Sequence, residues 1–504
     1  MSVRLHDTLS GEVHPLVPRE PGVVRMYTCG PTVYNYTHIG HLRPAVLADV
    51  LARHLRRRGL AVVWVTNFTD VDDRIIARAN AEGIPPQALA QRYIDDYLEN
   101  LAALGIGDVE RFVRVTDHIP DIVALIARLV ERGHAYAVDG DVYFAVESKA
   151  DYGKLSKRTL GEMRAGARVE VDERKRHPMD FALWKAAKPG EPSWPSPWGP
   201  GRPGWHVECS AMSLRYLGDN FDVHGGGGDL IFPHHENEIA QSEAFTGAQP
   251  FVRCWLHNAM VEVDREKMSK SLGNFVPLRE LVAAHPAGAL RYFVLATHYR
   301  KPLQYSATAL DEARRAWGRL VSAHRSWVAP RASSALPSPV RVETIDADAL
   351  AMAEPAAPTA AAPPLSDVAA ETEGSFLAAL DDDLNTSGAL GHLFELVRAG
   401  NSALAAGAAA SELAVAHAAL QRCGDVLGLW VGLDAAPERP AVGDRSADLV
   451  ELLLELRADA RAYRDWATAD RIRDRLAACG IALEDTPQGT RWRWEGAAAG
   501  AARP

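Results

Sequence analysis

The residues best suited to chemistry begin at CGPTVYNYTHIGH, residues 29 to 41, where a thiol, Cys29, precedes two imidazoles, His38 and His41. At the mouth of a helix, imidazoles add donors to the unpaired N–H groups and positive dipole end found there, a combination that suits a polyphosphate. The residues alone allow an anion site with a thiol beside it, or a strand-to-helix turn carrying surface histidines. Further on, His234 and Glu238 stand four apart in FDVHGGGGDLIFPHHENEIAQSEA and share one helix face. Such a pair either chelates a metal or makes a surface polar pair. It is not the metalloprotease H-E-x-x-H pattern, because Ile239 takes the second histidine's place. Gly225 to Gly228 let the backbone approach a flat or anionic ligand closely, or make a flexible loop. Lys267 and Lys270 flank small residues before a glycine, as in a mobile cationic loop. Near the end, Trp492 and Trp494 alternate with Arg491 and Arg493, a pattern that stacks on unpaired bases or makes a half-buried strand.

The elements that must position these residues are legible in the hydrophobic pattern. VVRMYT, residues 23 to 28, reads as a strand, and Leu47, Val50, Leu51 and Leu55 recur at helical spacing after the histidines. AVVWV at 61 to 65 is a second strand, so the β, helix, β order predicts a parallel sheet. Thr69, Asp70, Asp72 and Asp73 in NFTDVDDRI then fall at a strand's carboxyl end, facing a ligand or with Thr69 or Asp70 capping a helix. Helices are predicted over 86 to 104 and 117 to 133. Residues 135 to 200 open with the alternating strand DVYFAV and end in PGEPSWPSPWGPGRPGW, whose Pro and Gly density predicts no regular structure. They read as an insertion between two halves of the sheet. From about 277 to 328 the chain is helical. Residues 331 to 370 hold 13 Ala and 6 Pro in 40 positions with no aromatic residue, so they build no core and read as a linker. An Ala/Leu helical bundle follows to about 432, then two helices and a strand-and-turn ending.

Composition excludes several classes. With 47% hydrophobic and 24% charged residues over 504 positions, the chain is globular rather than disordered or collagenous. No apolar run of about 18 residues predicts a membrane span, and the start lacks a signal-peptide pattern, so a cytoplasmic protein is expected. Five scattered cysteines form no C-x-x-C and argue against a disulfide framework. A net charge of −10 gives no global attraction to nucleic acid, which leaves local basic groups such as Arg53, Arg56, Arg57 and Arg58 as contacts or as solvated surface.

Taken together, HIGH at 38 to 41 and KMSKS at 267 to 271 resemble the two signatures of class I aminoacyl-tRNA synthetases. YTCGPTVYNYTHIGH, NFTDVDDRI, GRPGWHVECSAM, HGGGGDLIFPHHENEIAQSE, DDDLNT and LEDTPQGTRWR are similar to blocks of the cysteinyl-tRNA synthetase family. The resemblance spans nearly the whole chain. It implies an α/β, Rossmann-like parallel-sheet catalytic domain with an insertion, followed by an α-helical bundle and a small C-terminal α+β domain. The implied divisions are 1–134 and 201–275 for the two catalytic halves, 135–200 for the insertion, 276–330 for a helical stem-contact region and 331–370 for the linker. The anticodon-binding bundle would be 371–435 and the small anticodon-reading domain 445–495. The implied activity is ATP-dependent ligation of L-cysteine to its tRNA through a cysteinyl-adenylate. One Zn2+ per chain would be held by Cys29, Cys209, His234 and Glu238, and Mg2+ would accompany ATP. His38, Gly40, His41, Asp229, Lys267 and Lys270 would bind ATP, with His38, His41, Lys267 and Lys270 catalytic. Thr69, Trp205 and His224 would bind cysteine, Arg491, Trp492 and Arg493 would touch tRNA, and a monomer is expected. After HIGH the chain departs from the family with LRPAVLADV, where Pro44 is compatible with the first turn of a helix. A ligase joining cysteine to an amino sugar shares the catalytic half but lacks the anticodon-reading end that is present here. A non-catalytic RNA-binding paralogue would have lost signature residues, and none is lost.

Overall fold

A hairpin of β1 (Arg4–Asp7) and β2 (Glu12–Pro15) precedes β3 (Val23–Thr28), in which Val24, Met26 and Tyr27 are all buried. Burial on both faces is the mark of a parallel sheet covered by helices. The computed structural model describes residues 2–162, 173–263, 266–267, 276–328, 363–433, 445–462, 465–478, 481–486 and 489–494. These belong to two units, Met1–Gly432 and Leu433–Pro504.

In the first unit α1 (Ile39–Arg57) crosses from β3 to β4 (Ala61–Phe68), and α2 (Asp73–Glu82) and α3 (Pro86–Ala103) lead to β5 (Arg111–Arg114). After α4 (Ile119–Glu131) the chain builds an antiparallel sheet of β6 (Ala135–Val138), β7 (Asp141–Phe144), β8 (Phe181–Ala186) and β9 (Gly201–Pro203). Contrary to the reading from Pro and Gly density, β9 lies inside the PGEPSWPSPWGPGRPGW run, and the insertion's sheet extends to Pro203. A three-residue edge strand tolerates proline because one side of it needs no ladder bond.

The chain returns through α5 (Trp205–Leu217), β10 (Phe221–Gly227), α6 (Glu236–Thr246) and β11 (Val252–Asn258). The central sheet has the order β11-β10-β3-β4-β5 with every pairing parallel. Strand order therefore reverses between β3 and β10, the place where open α/β sheets bind ligands. β12 (Val261–Val263) and the backbone of β13 (Glu266–Lys267) pair with each other. Beyond α7 (Leu278–Ala284) and α8 (Ala287–Leu295), β14 (Leu303–Tyr305) completes that three-stranded sheet.

α9 (Ala307–Ser326) ends near residues 329–362, where most of the expected linker lies outside the described residues. Its C-terminal part is helical instead, because α10 starts at Leu365. α10 (Leu365–Asp381), α11 (Thr386–Ala405) and α12 (Ala410–Leu427) form the bundle. The Arg53–Arg58 cluster is spent on ties inside this unit: Arg57 pairs with Glu373, Arg58 with Asp381, Arg56 with Asp108 and Arg53 with Asp49. Asp381 also accepts from buried His54 at 2.9 Å, so the far end of α1 is bound to the bundle.

The second unit contains α13 (Arg445–Ala462), α14 (Trp466–Ala478) and the hairpin β15 (Ile481–Thr486) and β16 (Gly489–Trp494). Val450, Leu476 and Ile481 form its core, with Trp492 packed against them.

Candidate active site and metal centre

β3 ends in Cys29-Gly30-Pro31, and Gly30 follows from crowding. A Cβ there would lie 1.7 Å from the Asn67 carbonyl oxygen on the neighbouring β4. The close approach brings Cys29 under α5, so that its Sγ is 3.7 Å from Cys209 Sγ and 3.7 Å from Glu238 Oε1. His234 Nε2 lies 3.0 Å from the same carboxylate oxygen. One ligand atom from each of Cys29, Cys209, His234 and Glu238 falls within 4.8 Å of the others. A tetrahedron with thiolate bonds of about 2.3 Å has an S···S edge of roughly 3.8 Å, so the thiol spacing fits zinc.

The four donors share protons among themselves: burial pushes the Cys29 thiol well up, and Glu238 and Cys209 hold His234 up at about 10 against its burial, while Cys209 and Glu238 are held down. Burial pushes the Cys209 thiol up, but the hydrogen bond from Cys29 and the charge of His234 outweigh it and hold Cys209 at about 6. Burial also opposes ionisation of Glu238, yet His224 and His234 bring it down to about 2. His206 is held neutral by burial, and its Nδ1 lies 3.1 Å from His234 Nδ1. A neutral ring can accept there, which turns His234 Nε2 toward the ligand position, as outer hydrogen bonds commonly do in metal sites. A second constellation, Cys29, His224, His235 and Glu238, is also within 4.8 Å. Its two histidines are fully buried and off the cavity wall: His224 Nε2 lies 3.0 Å from Glu238 and His235 Nε2 3.3 Å from Cys29 Sγ, while His235 Nδ1 meets His257 at 2.7 Å. In the first constellation, Cys29, Cys209 and His234 line a cavity of about 450 Å³. Of the second set only Cys29 lines it, so the first set is the better placed to take a further ligand from the cavity.

The same cavity is lined by His38, Gly40, His41, Thr69, Trp205 and Asp229. Trp205 stacks on His234, with ring centroids 4.4 Å apart. Thr69 donates to Glu208 at 2.7 Å. His224 differs from expectation: it is fully buried, is absent from the cavity wall, and orients Glu238 from behind. Neither Thr69 nor Asp70 caps a helix. Asp72 caps α2, and Asp70 accepts from Thr116.

At the start of α1 the backbone donors are not open to an anion. The His38 N–H goes to His41 Nδ1, Ile39 N–H to the Val276 carbonyl, Gly40 N–H to His38 Nδ1 and His41 N–H to the His38 carbonyl. Both imidazoles accept at Nδ1, so each carries its proton on Nε2, and the ring N–H replaces the backbone N–H as the donor. Burial holds His41 down at about 4, so it is neutral at pH 7. Pro44 stands sixth in α1, past the first turn, so the carbonyl of Gly40 lacks the intrahelical donor another residue would give it.

Lys270 lies outside the described residues, as does the side chain of Lys267. The chain enters that segment from β13 and leaves it at Val276, whose carbonyl is bonded to Ile39, while Leu278 N–H bonds the Thr37 carbonyl. The end at which the chain leaves that segment is therefore held beside the signature histidines. In the second unit Trp492 faces Leu483 across the hairpin and packs into the local core, the half-buried-strand alternative. Arg491 and Arg493 occupy the intervening strand positions, and their side chains are outside the described residues. Glu208, His206, His235 and His257 are partners that sequence reasoning missed. The only signals for them were their places beside Cys209, Trp205, His234 and Leu256.

Residues 15–315 match the family described as tRNA synthetases class I (C) catalytic domain, residues 375–431 a DALR domain, and residues 447–493 the cysteinyl-tRNA ligase anticodon binding domain. Among solved structures, Mycobacterium tuberculosis methionyl-tRNA synthetase with methionyl-adenylate superposes with a TM-score of 0.55 at 18% identity, covering 86% of this chain and 94% of that one. The fold and the cavity at the sheet's reversal point are those of a class I aminoacyl-tRNA synthetase. The cysteine–tRNA ligase of Pelotomaculum thermopropionicum is 50% identical, covering 98% of this chain and 100% of that protein. That of Heliobacterium modesticaldum is 48% identical with the same coverage. The chain belongs to the cysteine–tRNA ligase family. Among the described residues no helix is long and apolar enough to cross a membrane.

Proposed function

We propose that this chain joins L-cysteine to its tRNA in two steps within the one cavity, with a zinc ion held by Cys29, Cys209, His234 and Glu238 selecting the substrate. The observation that carries this reading is the thiol pair at 3.7 Å opening into the cavity that His38 and His41 also line. Bound there, zinc would supply a soft Lewis acid that takes a thiolate in preference to a hydroxyl. Discrimination against serine then rests on a polar partner that only cysteine satisfies, which gives far larger ratios than a difference in size.

Trp205 and Thr69 shape the amino-acid side of the cavity and Asp229 the nucleotide side. The substrate carboxylate attacks the α-phosphorus of ATP, forming the acyl–phosphate bond of cysteinyl-adenylate as the bond to pyrophosphate breaks. Negative charge on the phosphate oxygens is met by the Nε2–H groups of His38 and His41, by Lys267 and Lys270, and by Mg2+ carried with ATP. A neutral His41 donates without competing for a proton. The terminal ribose 2′ hydroxyl of tRNA next attacks the acyl carbon and releases AMP, so no protein nucleophile is required. The bundle and the second unit hold the anticodon end, and the protein acts as a cytoplasmic monomer.

The test is cysteine-dependent exchange of pyrophosphate into ATP, followed by charging of total tRNA. Exchange with cysteine and not serine, with one zinc per chain, is the expected result. Exchange driven equally by serine would overturn the thiolate-selection reading.

A further inference from the structure

Arg43, two residues past the HIGH signature, is fully buried, and no carboxylate is among its described partners. Its Nη1 donates to the carbonyls of Ala259 at 2.6 Å and Met260 at 3.3 Å, and its Nη2 to those of His298 at 3.0 Å and Lys301 at 2.6 Å. These carbonyls lie in two turns that are themselves stitched together, Ala259 N–H to the Tyr299 carbonyl and Leu303 N–H to the Met260 carbonyl. The first turn leads into β12 and the second into β14, the two parallel strands of the sheet whose edge strand, β13, carries Lys267. One guanidinium thus fastens the roots of both strands to the helix that begins with His38 and His41.

The outer side of the 298–301 turn is held by the bundle. Asp383 pairs with Arg300 at 2.7 Å, accepts from the Tyr299 hydroxyl, and accepts from the His6 N–H at 2.8 Å. Asp383 and the following Leu384 both adopt left-handed backbone, with φ of 55° and 49°. Two adjacent non-glycine residues in that region are strained, and such strain persists only where the surroundings over-determine it. Tyr299, Leu384 and Met260 all line the cavity. A fully buried cation is a poor way merely to fill space, since apolar residues of similar volume commonly hold a fold at least as well. What a planar five-donor fork adds is fixed geometry among several acceptors.

We propose that Arg43 and Asp383 are positioning residues for the ATP half of the reaction, clamping the 298–301 turn from its two sides and so fixing β12 and β14, the strands on which β13 and Lys267 are built, against the signature histidines. This role rests on the functional reading above. It touches ATP activation and leaves the zinc and cysteine half alone, and that split separates it from a general structural role.

The test measures kcat and the KM values for ATP and for cysteine in pyrophosphate exchange, with zinc content and melting temperature, for Arg43→Lys and Tyr299→Phe. Lysine keeps the charge but cannot reach four carbonyls. The expected result for Arg43→Lys is a fall in kcat/KM for ATP of about ten-fold or more, with zinc content and the KM for cysteine within about two-fold of the parent. Tyr299→Phe, which deletes a single bond to Asp383, moves the same parameters in the same direction by less, and it decides the matter alone if Arg43→Lys does not fold. Unchanged ATP parameters beside an active parent overturn the proposal, as does a parallel loss of zinc and cysteine binding. An inactive parent would instead remove the functional reading, and this role with it.

Discussion

His41 donates through Nε2 only while its ring is singly protonated, and burial secures this by holding it at about 4, well below the ordinary 6.5. The sign follows directly. Between pH 6.5 and 4 the unfolded chain takes up a proton that the folded chain refuses, so stability is full above pH 6.5, falls as pH drops toward 4, and levels below that. Because the ring keeps an edge on the cavity, the loss from pH 7 to pH 5 is at most about 2 kcal/mol. Urea unfolding of the parent and of His41→Asn at the two pH values should show that difference shrink in the variant; an equal pH dependence would remove His41 as its source. At the metal centre, Cys209→Ser replaces a thiol held at about 6 by a hydroxyl that does not ionise in this range. Zinc measured by atomic absorption should fall from one per chain toward zero, together with cysteine activation. His224 marks the limit of residue-level reading: the family resemblance put it in the cysteine pocket, but only the three-dimensional path of β10 shows that it points behind Glu238.

The elements that sequence made plain were those with a strong period: β3, α1, β4, α3 and α4 all lie where the apolar spacing put them. β9 and the start of α10 were hidden because their residues, Gly201–Pro203 and the Pro-rich approach to Leu365, carry local signals for loop. Capping at α1 was hidden for another reason. Histidine is not a usual cap, and the exchange between His38 and His41 is visible only once both rings are placed. Among the described glycines, the closest approach to a neighbouring backbone is at Gly30, where the end of β3 meets β4. Gly30→Ala must push the Asn67 backbone away, and with it the Asn67 side chain that accepts from Gly30 N–H at 3.0 Å and lies 3.7 Å from Cys209. The variant should lose about 3 kcal/mol by urea unfolding and should bind zinc more weakly. Retained zinc affinity at reduced stability would show that the strand ends can part without moving the thiols.

At the scale of the whole chain, the catalytic sheet, the insertion and the bundle form the first unit, while residues from 433 onward have a core of their own in Val450, Leu476, Ile481 and Trp492. α1 runs from the signature histidines at one end to Asp381 and Glu373 of the bundle at the other, so the bundle cannot be removed without exposing His54, which is buried against Asp381. The second unit differs in this respect. Its match to the anticodon binding domain, residues 447–493, lies wholly within that separate unit. A chain ending at Gly432 should therefore fold, bind one zinc and retain pyrophosphate exchange within about two-fold of the parent, while tRNA charging falls by about ten-fold or more through a raised KM for tRNA. Charging at the parent's rate would show that the bundle alone holds the anticodon end. Loss of exchange would show that the first unit depends on the second for its own geometry.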